Sequence, residues 1–124
     1  GGVELECNRY IKILLKEPKK KPRIITIENT LENMQELVNG TIEVIYHKGA
    51  FIICNEEGKI RNLEPNLFLE KDMILGSFFI VGDDYENADF ISLSNKQIKK
   101  FKREILEEMQ RENETENDWE CEME

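Results

Sequence analysis

The sequence predicts an α+β domain: a mixed or mainly antiparallel sheet of about five to six short strands, two helices packed against it, and a disordered acidic C-terminal tail. Several short segments alternate apolar and polar residues with period two, which is typical of half-buried strands. Two other segments place apolar residues at helical spacing behind a capping residue. Residues 112–124 contain acids and no basic residue.

The chain length predicts one domain. The chain has 124 residues, and its 40% hydrophobic content is enough to form a core without disulfides or metals. We assign the domain to residues 3–111 and the tail to residues 112–124. The longest apolar run is far shorter than the roughly 20 residues that a membrane-spanning helix needs, so the sequence predicts no membrane association.

Most of the net charge belongs to the tail. The whole chain carries −9, and residues 1–111 carry only −2. The acids of the tail are Glu112, Glu114, Glu116, Asp118, Glu120, Glu122 and Glu124.

The cysteine pattern predicts a cytoplasmic protein. The 3 cysteines are widely separated and form no CxxC pair of a zinc or redox site. The first residues do not show the basic segment followed by an apolar segment that is typical of a secretory signal peptide. Cys54 lies in an apolar strand, where a cysteine behaves as a small buried hydrophobe rather than a catalytic thiol.

The first half of the chain predicts a hairpin followed by a short helix. Strands at Tyr10–Lys16 and Arg23–Glu28 flank a loop rich in proline and lysine. The helix starts at Asn29 or Thr30, and Asn29 as N-cap places a glutamate at the third helical position. Asn39-Gly40 ends the helix, and we expect the glycine to adopt the left-handed conformation.

The second half predicts further strands and a long final helix. Thr41–His47 alternates, whereas Ala50–Asn55 and Gly76–Gly82 are too continuously apolar for a sheet edge. Leu63–Leu69 contains a proline and is interpreted as a loop or a single helical turn. Phe90–Leu93 is interpreted as a short strand that pairs with the preceding strand.

A capping box opens the last helix. Ser94 is followed three residues later by Gln97, the reciprocal pairing that caps a helix start. The apolar stripe of this helix comprises Ile98, Phe101, Ile105 and Met109.

Several ordered blocks carry a family resemblance. They are TLENMQELVNG at residues 30–40, ICNEEGK at 53–59, GSFFIVGD at 76–83 and SLS at 92–94. With these blocks the chain resembles the family catalogued as domain of unknown function 3846, from roughly Ile11 to Phe101. The resemblance implies a small protein of a bacterium, phage or mobile element, and it implies no activity.

Two groups of residues are candidate binding sites. A set of basic residues at the hairpin tip and on the last helix could contact a polyanion. These residues are Lys19, Lys20, Lys21, Arg23, Lys99, Lys100 and Arg103. No aromatic residue is interleaved at the tip, which argues against recognition of single strands. A possible polar site comprises Asn55, Glu56, Glu57 and Asn66.

The sequence predicts no catalytic, metal or cofactor-binding residue. The apolar strand that ends in Asp83 and Asp84 resembles the magnesium-binding strand of P-loop enzymes, but the sequence contains no phosphate-binding loop. Gly82-Asp83-Asp84 also resembles the paired metal carboxylates of RNA polymerases, but the chain is far too short for such an enzyme. We interpret it as a turn after a central strand. His47 is the only histidine, and its place on the polar face of a strand end predicts a surface residue.

These observations favour a non-catalytic, intracellular accessory protein that binds an unidentified protein partner. Three alternatives remain open at this point. The basic hairpin and last helix could bind nucleic acid. The acidic tail, with Trp119 as an apolar anchor, could mimic DNA or inhibit a basic host protein. A small hydrolase or nucleotide-binding enzyme is the third. The sequence leaves the oligomeric state open.

Overall fold

The computed structural model describes the backbone of residues 9–87 and 89–123 and the side chains up to residue 114, except residue 88. The elements follow in the order β1 (Tyr10–Lys16), β2 (Arg23–Glu28), α1 (Leu31–Val38), β3 (Ile42–His47), β4 (Ala50–Asn55), β5 (Pro65–Leu69), β6 (Asp72–Leu75), β7 (Phe78–Asp84), β8 (Asp89–Ile91) and α2 (Asn95–Met123). This arrangement confirms the predicted α+β class.

The main sheet has six strands, all antiparallel to their neighbours. Its order is β2-β1-β7-β4-β3, and β8 pairs with the end of β7. The interior positions of β4 and β7 confirm the expectation drawn from their continuous apolar runs. Strands β2 and β3 form the two edges.

The sheet is covered on both faces, and each face has its own core. On what we call the helix-1 face, Met34 and Val38 of α1 pack in one cluster with Ile53 and Phe79. On the opposite, helix-2 face, the predicted stripe of α2 packs in a cluster with Ile80 and with residues of β5 and β6. The two clusters follow from the two alternating faces of the central strands.

The N-cap of α1 is one of the two residues that the sequence left open, and the left-handed residue at the end of the helix precedes the predicted glycine by one position. Thr30, not Asn29, is the N-cap, and its hydroxyl accepts a hydrogen bond from the Asn33 amide at 3.2 Å. The Asn29 side chain instead donates to the Phe90 carbonyl at 3.1 Å, which fixes the helix start to β8. At the other end Asn39, with φ of 63°, takes the left-handed conformation that we expected of the following glycine. Asparagine tolerates this conformation, so it serves as the cap.

The interpretation of Leu63–Leu69 as a loop or helical turn is wrong. Pro65–Leu69 forms β5, which pairs with β6 in a separate two-stranded sheet. Proline is accepted here because it is the first residue of the strand. The turn is formed by Glu70 and Lys71, both with positive φ. It contains no glycine, so the sequence does not mark it as a turn.

The interpretation of Gly82-Asp83-Asp84 as a turn is also wrong, because β7 continues through Asp84. A Cβ at Gly82 would lie 2.7 Å from the Ser92 carbonyl oxygen, so the glycine permits the close approach of the segment that follows β8. Asp83 and Asp84 are consecutive strand residues and therefore face opposite sides of the sheet. They do not form a pair of metal ligands.

The final helix passes the predicted start of the acidic tail. Glu112 lies within α2 and is partly buried. From residue 115 onward the side chains, Trp119 and Cys121 among them, lie outside the described part, as does Cys7. The domain boundary and the disordered tail therefore stay predictions. Neither helix, as far as the residues are described, has the length and apolar character needed to cross a membrane.

Asn55 links the end of β4 to the end of α1. Its buried side-chain amide donates to the carbonyl oxygens of Val38 at 3.0 Å and Asn39 at 3.2 Å. Its side-chain oxygen accepts from the Glu57 amide at 2.7 Å. One side chain thus satisfies helix-end carbonyl groups and the turn after β4.

We expect Asn55→Ala to lower the free energy of unfolding by about 2–3 kcal/mol, because it leaves buried backbone groups without partners. Urea denaturation measures this change. The neighbouring exposed residue supplies the control: Glu56→Ala should stay within about 0.5 kcal/mol of the wild type. Equal effects of the two substitutions would contradict the role of the amide.

Candidate functional site

The structure separates the two groups of predicted polyanion-binding residues. At the hairpin tip, Lys19 pairs with Glu64 at 3.1 Å and Arg23 with Glu17 at 3.1 Å, while Lys20 and Lys21 are exposed. Of the helix residues, Lys100 and Arg103 line a groove that also contains four glutamates. Lys99 and Arg103 line a second groove along α2. The described grooves join neither group to the other, and polyanion binding stays a prediction.

The predicted polar residues do not converge either. Asn66 accepts from the Lys16 ammonium at 2.8 Å and donates to the Lys16 carbonyl at 2.9 Å and the Gly76 carbonyl at 2.8 Å. Asn55 is occupied at the end of α1, and Glu56 and Glu57 are exposed beside it. Both asparagines therefore have structural partners, which the sequence did not indicate.

Lys16 is the most buried charged residue of the described part, at 1% exposure. Burial lowers the pKa of its ammonium, and the nearby Glu112 and Glu17 act in the opposite direction. Burial also raises the pKa of Glu112, and one of its carboxylate oxygens has no hydrogen-bond partner within the described residues. Lys16 thus joins β1 to β5 through Asn66, and Glu112 of α2 acts on it electrostatically.

His47 is buried, so its prediction as a surface residue is wrong. It is 3% exposed, and its ring lies between two carboxylates. Nδ1 is 2.5 Å from Glu70 of the β5–β6 turn, and Nε2 is 2.6 Å from Glu104 of α2. Lys48 pairs with the second oxygen of Glu104. These four residues, which we call the histidine cluster, connect β3, the β5–β6 turn and α2.

The cluster is saturated with hydrogen bonds. Each ring nitrogen of His47 lies within hydrogen-bond distance of one carboxylate. Neither ring nitrogen is left to face a substrate. Although burial acts to raise it, the hydrogen bonds from His47 and Lys48 hold the pKa of Glu104 below its ordinary value.

Cys54 confirms the prediction of a buried residue. It is 4% exposed, and its thiol lies 3.6 Å from a Glu43 carboxylate oxygen. Burial and Glu43 raise the pKa of this thiol to about 12. The thiol borders a cavity of about 300 Å³, which is also lined by Lys59 and Asp72, an ion pair at 2.7 Å. A thiol with this pKa is not a nucleophile at neutral pH.

Among the described side chains of residues 9–87 and 89–114, no three from histidine, cysteine, aspartate or glutamate are grouped so that they could hold a metal ion.

The helix-1 face carries an exposed group of aromatic rings. Tyr46 and Phe51 contact edge to face at 6.1 Å between centroids, and Phe51 contacts Phe90 in the same way at 5.7 Å. Tyr85, in the loop after β7, forms a hydrogen bond with Tyr46 that raises the pKa of Tyr85. Tyr46 is 57% exposed and Tyr85 73% exposed. We call these four residues the aromatic surface.

The aromatic surface stays open because α1 is short. The helix has 8 residues and is therefore about 12 Å long. It ends against Asn55, so it leaves the opposite ends of β3 and β4 uncovered. Two acids, which we call the acidic rim, accompany these rings: Asp83 acts electrostatically on Tyr85, and the exposed Glu86 follows Tyr85 in the chain.

Sequence reasoning did not find the aromatic surface because its rings come from three separate segments. One signal was available. The Lys48-Gly49 turn is a two-residue hairpin connection, and such a turn fixes the pairs His47–Ala50 and Tyr46–Phe51. Counting back from the turn would have placed Tyr46 and Phe51 side by side.

The histidine cluster predicts a pH-dependent stability that Glu104→Gln removes. The lowered pKa means that Glu104 stabilises the fold above its ordinary pKa of 4.5, and that this contribution is lost as the pH falls through the folded-state value. At pH 7 we expect Glu104→Gln to cost about 1–3 kcal/mol. The difference from the wild type should shrink below pH 4.5.

Urea denaturation between pH 7 and pH 3 measures the free energy of unfolding of Glu104→Gln and of the wild type as a function of pH. Glu107→Gln, an exposed site on the same helix, is the matched control and should give a curve parallel to the wild type. A difference between Glu104→Gln and the wild type that stays constant over this range would contradict the assignment.

Comparison with protein families gives one match. The family described as Domain of unknown function (DUF3846) matches residues 11–106. Comparisons with curated proteins and with solved structures give no match. Because the family match spans most of the chain, the chain belongs to this family.

Proposed function

We propose that this member of the DUF3846 family is a protein-binding module and that the aromatic surface is its binding site. The observation that carries the proposal is the pair of exposed tyrosine rings, Tyr46 and Tyr85, held beside two partly buried phenylalanines. Tyrosine is enriched at the centres of protein interfaces, where it supplies a large contact area with few rotatable bonds.

The rings are already held in place. The edge-to-face contact with Phe51 restricts the ring of Tyr46, and the interaction of the two tyrosine hydroxyls links Tyr85 to Tyr46. Binding therefore loses little side-chain entropy. Removing each exposed ring from water contributes about 2 kcal/mol.

The charges around the rings indicate the chemistry of the partner. The acidic rim repels phosphate groups and attracts lysine or arginine side chains. A partner segment that alternates apolar and basic residues meets both features. This chemistry favours a protein over a nucleic acid at the aromatic surface.

Selection from a phage-displayed library of random peptides tests the proposal with the full chain as bait. We expect selected peptides to bind about tenfold more weakly to Tyr46→Ala and to Tyr85→Ala, because each substitution removes a ring from the interface. Fluorescence anisotropy of the labelled peptides measures the change. We also expect the affinity to fall with added salt because the rim is charged.

The matched control is Tyr10→Ala, at a tyrosine of similar exposure, 54%, at the start of β1. It should leave the affinity unchanged. Peptides that bind Tyr46→Ala and Tyr85→Ala as tightly as the wild type would overturn the proposal.

A further inference from the structure

We infer that a groove between the end of β1, the β5–β6 hairpin and α2 binds a small neutral molecule through a hydroxyl or carboxamide group, which accepts a hydrogen bond from Lys16 and donates one to Glu112. We call it the lysine groove. It has a volume of about 560 Å³, and Lys16, Asn66, Met73, Met109 and Glu112 are among the residues that line it. The groove lies on the helix-2 face, so the inference is independent of the aromatic surface and of the proposed function.

The Lys16 ammonium has one more donor than it has acceptors. An ammonium group carries three N–H donors. Among the described residues, it donates to the Glu17 carbonyl at 2.7 Å and to the Asn66 side-chain oxygen at 2.8 Å. The side chain is only 1% exposed, so the third donor has little access to solvent. A buried donor without an acceptor costs free energy, which a bound acceptor would recover.

The Glu112 carboxylate has the matching defect. One of its oxygens is buried and accepts no hydrogen bond from any described residue. Glu112 acts electrostatically on Lys16, but the two groups form no direct ion pair in the described part of the chain. An unused donor and an unused acceptor therefore line the same groove.

The group that joins them must both accept and donate. Hydroxyl and carboxamide groups do both, whereas a carboxylate only accepts and an ammonium only donates. A charged ligand would satisfy one of the two protein groups and bring a like charge next to the other. The remaining charges of the groove also cancel, because Lys19 pairs with Glu64 at 3.1 Å. The lysine groove therefore favours a neutral ligand.

The walls of the groove fit the apolar part of such a ligand. Pro65, Leu67, Met73 and Met109 line it, and ligand sites typically combine apolar walls with a few polar groups. Both methionines are partly buried. Methionine is unbranched and adapts its conformation, so these two side chains can move aside and admit a ligand to the buried polar groups.

A single water molecule is the simplest alternative occupant, because water also donates and accepts. The groove is far larger than one water molecule. Methionine sulfur contacts aromatic rings favourably, so a small aromatic carboxamide fits the walls as well as the polar groups. Benzamide is therefore a suitable probe.

The test titrates the full chain, labelled with ¹³C at its methionine methyl groups, with benzamide, benzoate and benzylammonium in turn. The three probes share one ring and differ in the charge of the attached group. We expect benzamide to shift the methyl signals of Met73 and Met109 and to bind at least tenfold more tightly than either ion, because each ion leaves one protein group unpaired. Met34, in the cluster on the helix-1 face, is the internal control, and its signal should stay in place.

A variant tests the assigned contact. Glu112→Leu removes the acceptor and should weaken benzamide binding about tenfold. Glu114→Leu, at an exposed position on the same helix, is the matched control and should leave the affinity unchanged. Should Glu112→Leu fail to fold, the comparison of the three probes still decides.

Three outcomes would overturn the inference. Unchanged signals of Met73 and Met109 at saturating benzamide would show that water alone joins the two groups. Tighter binding of benzoate or benzylammonium than of benzamide would exclude a neutral ligand. Equal binding of benzamide to the wild type and to Glu112→Leu would exclude the contact with the carboxylate. None of these outcomes bears on the aromatic surface.

Discussion

The burial of β4 and β7 on both of their faces is the constraint on which the rest of the structure depends. Ile52 and Ile53 are consecutive and both fully buried, and so are Ile80 and Val81. A sheet with such a centre needs cover on both sides. The helix-2 face receives a long helix and the β5–β6 hairpin, whereas the helix-1 face receives only eight residues of α1. The open aromatic surface is the consequence of that unequal cover.

The well-covered face is fixed by buried polar groups as well as by apolar contacts. Lys16 with Asn66 and His47 with two glutamates each join elements that are distant in sequence. Removing charges from water costs free energy that their pairing only partly offsets. Such groups therefore add less to stability than to the choice of one arrangement, since another docking of β5 would leave Lys16 and Asn66 unpaired and another docking of α2 would leave Glu104 unpaired.

The sequence predicted most elements to within a residue or two because their signals are local: alternation, caps and apolar stripes. It missed the β5–β6 hairpin because Pro65 begins the strand and Glu70 and Lys71 form the turn without glycine. It misplaced His47 because alternation shows only that His47 and Tyr46 point to opposite faces of the sheet. Alternation does not show which of these faces a later helix will cover. To find the aromatic surface, one must know how three segments pair. To find the partners of the basic residues, one must know the tertiary fold. Those signals are not local.

The Lys48-Gly49 turn links the two faces of β3. By fixing the register with β4, it sends Tyr46 to the aromatic surface and the next residue, His47, into the histidine cluster. The cluster anchors the end of β3 to the β5–β6 turn and to α2. The buried charges on one face thus hold in place the strand that carries Tyr46 on the other face.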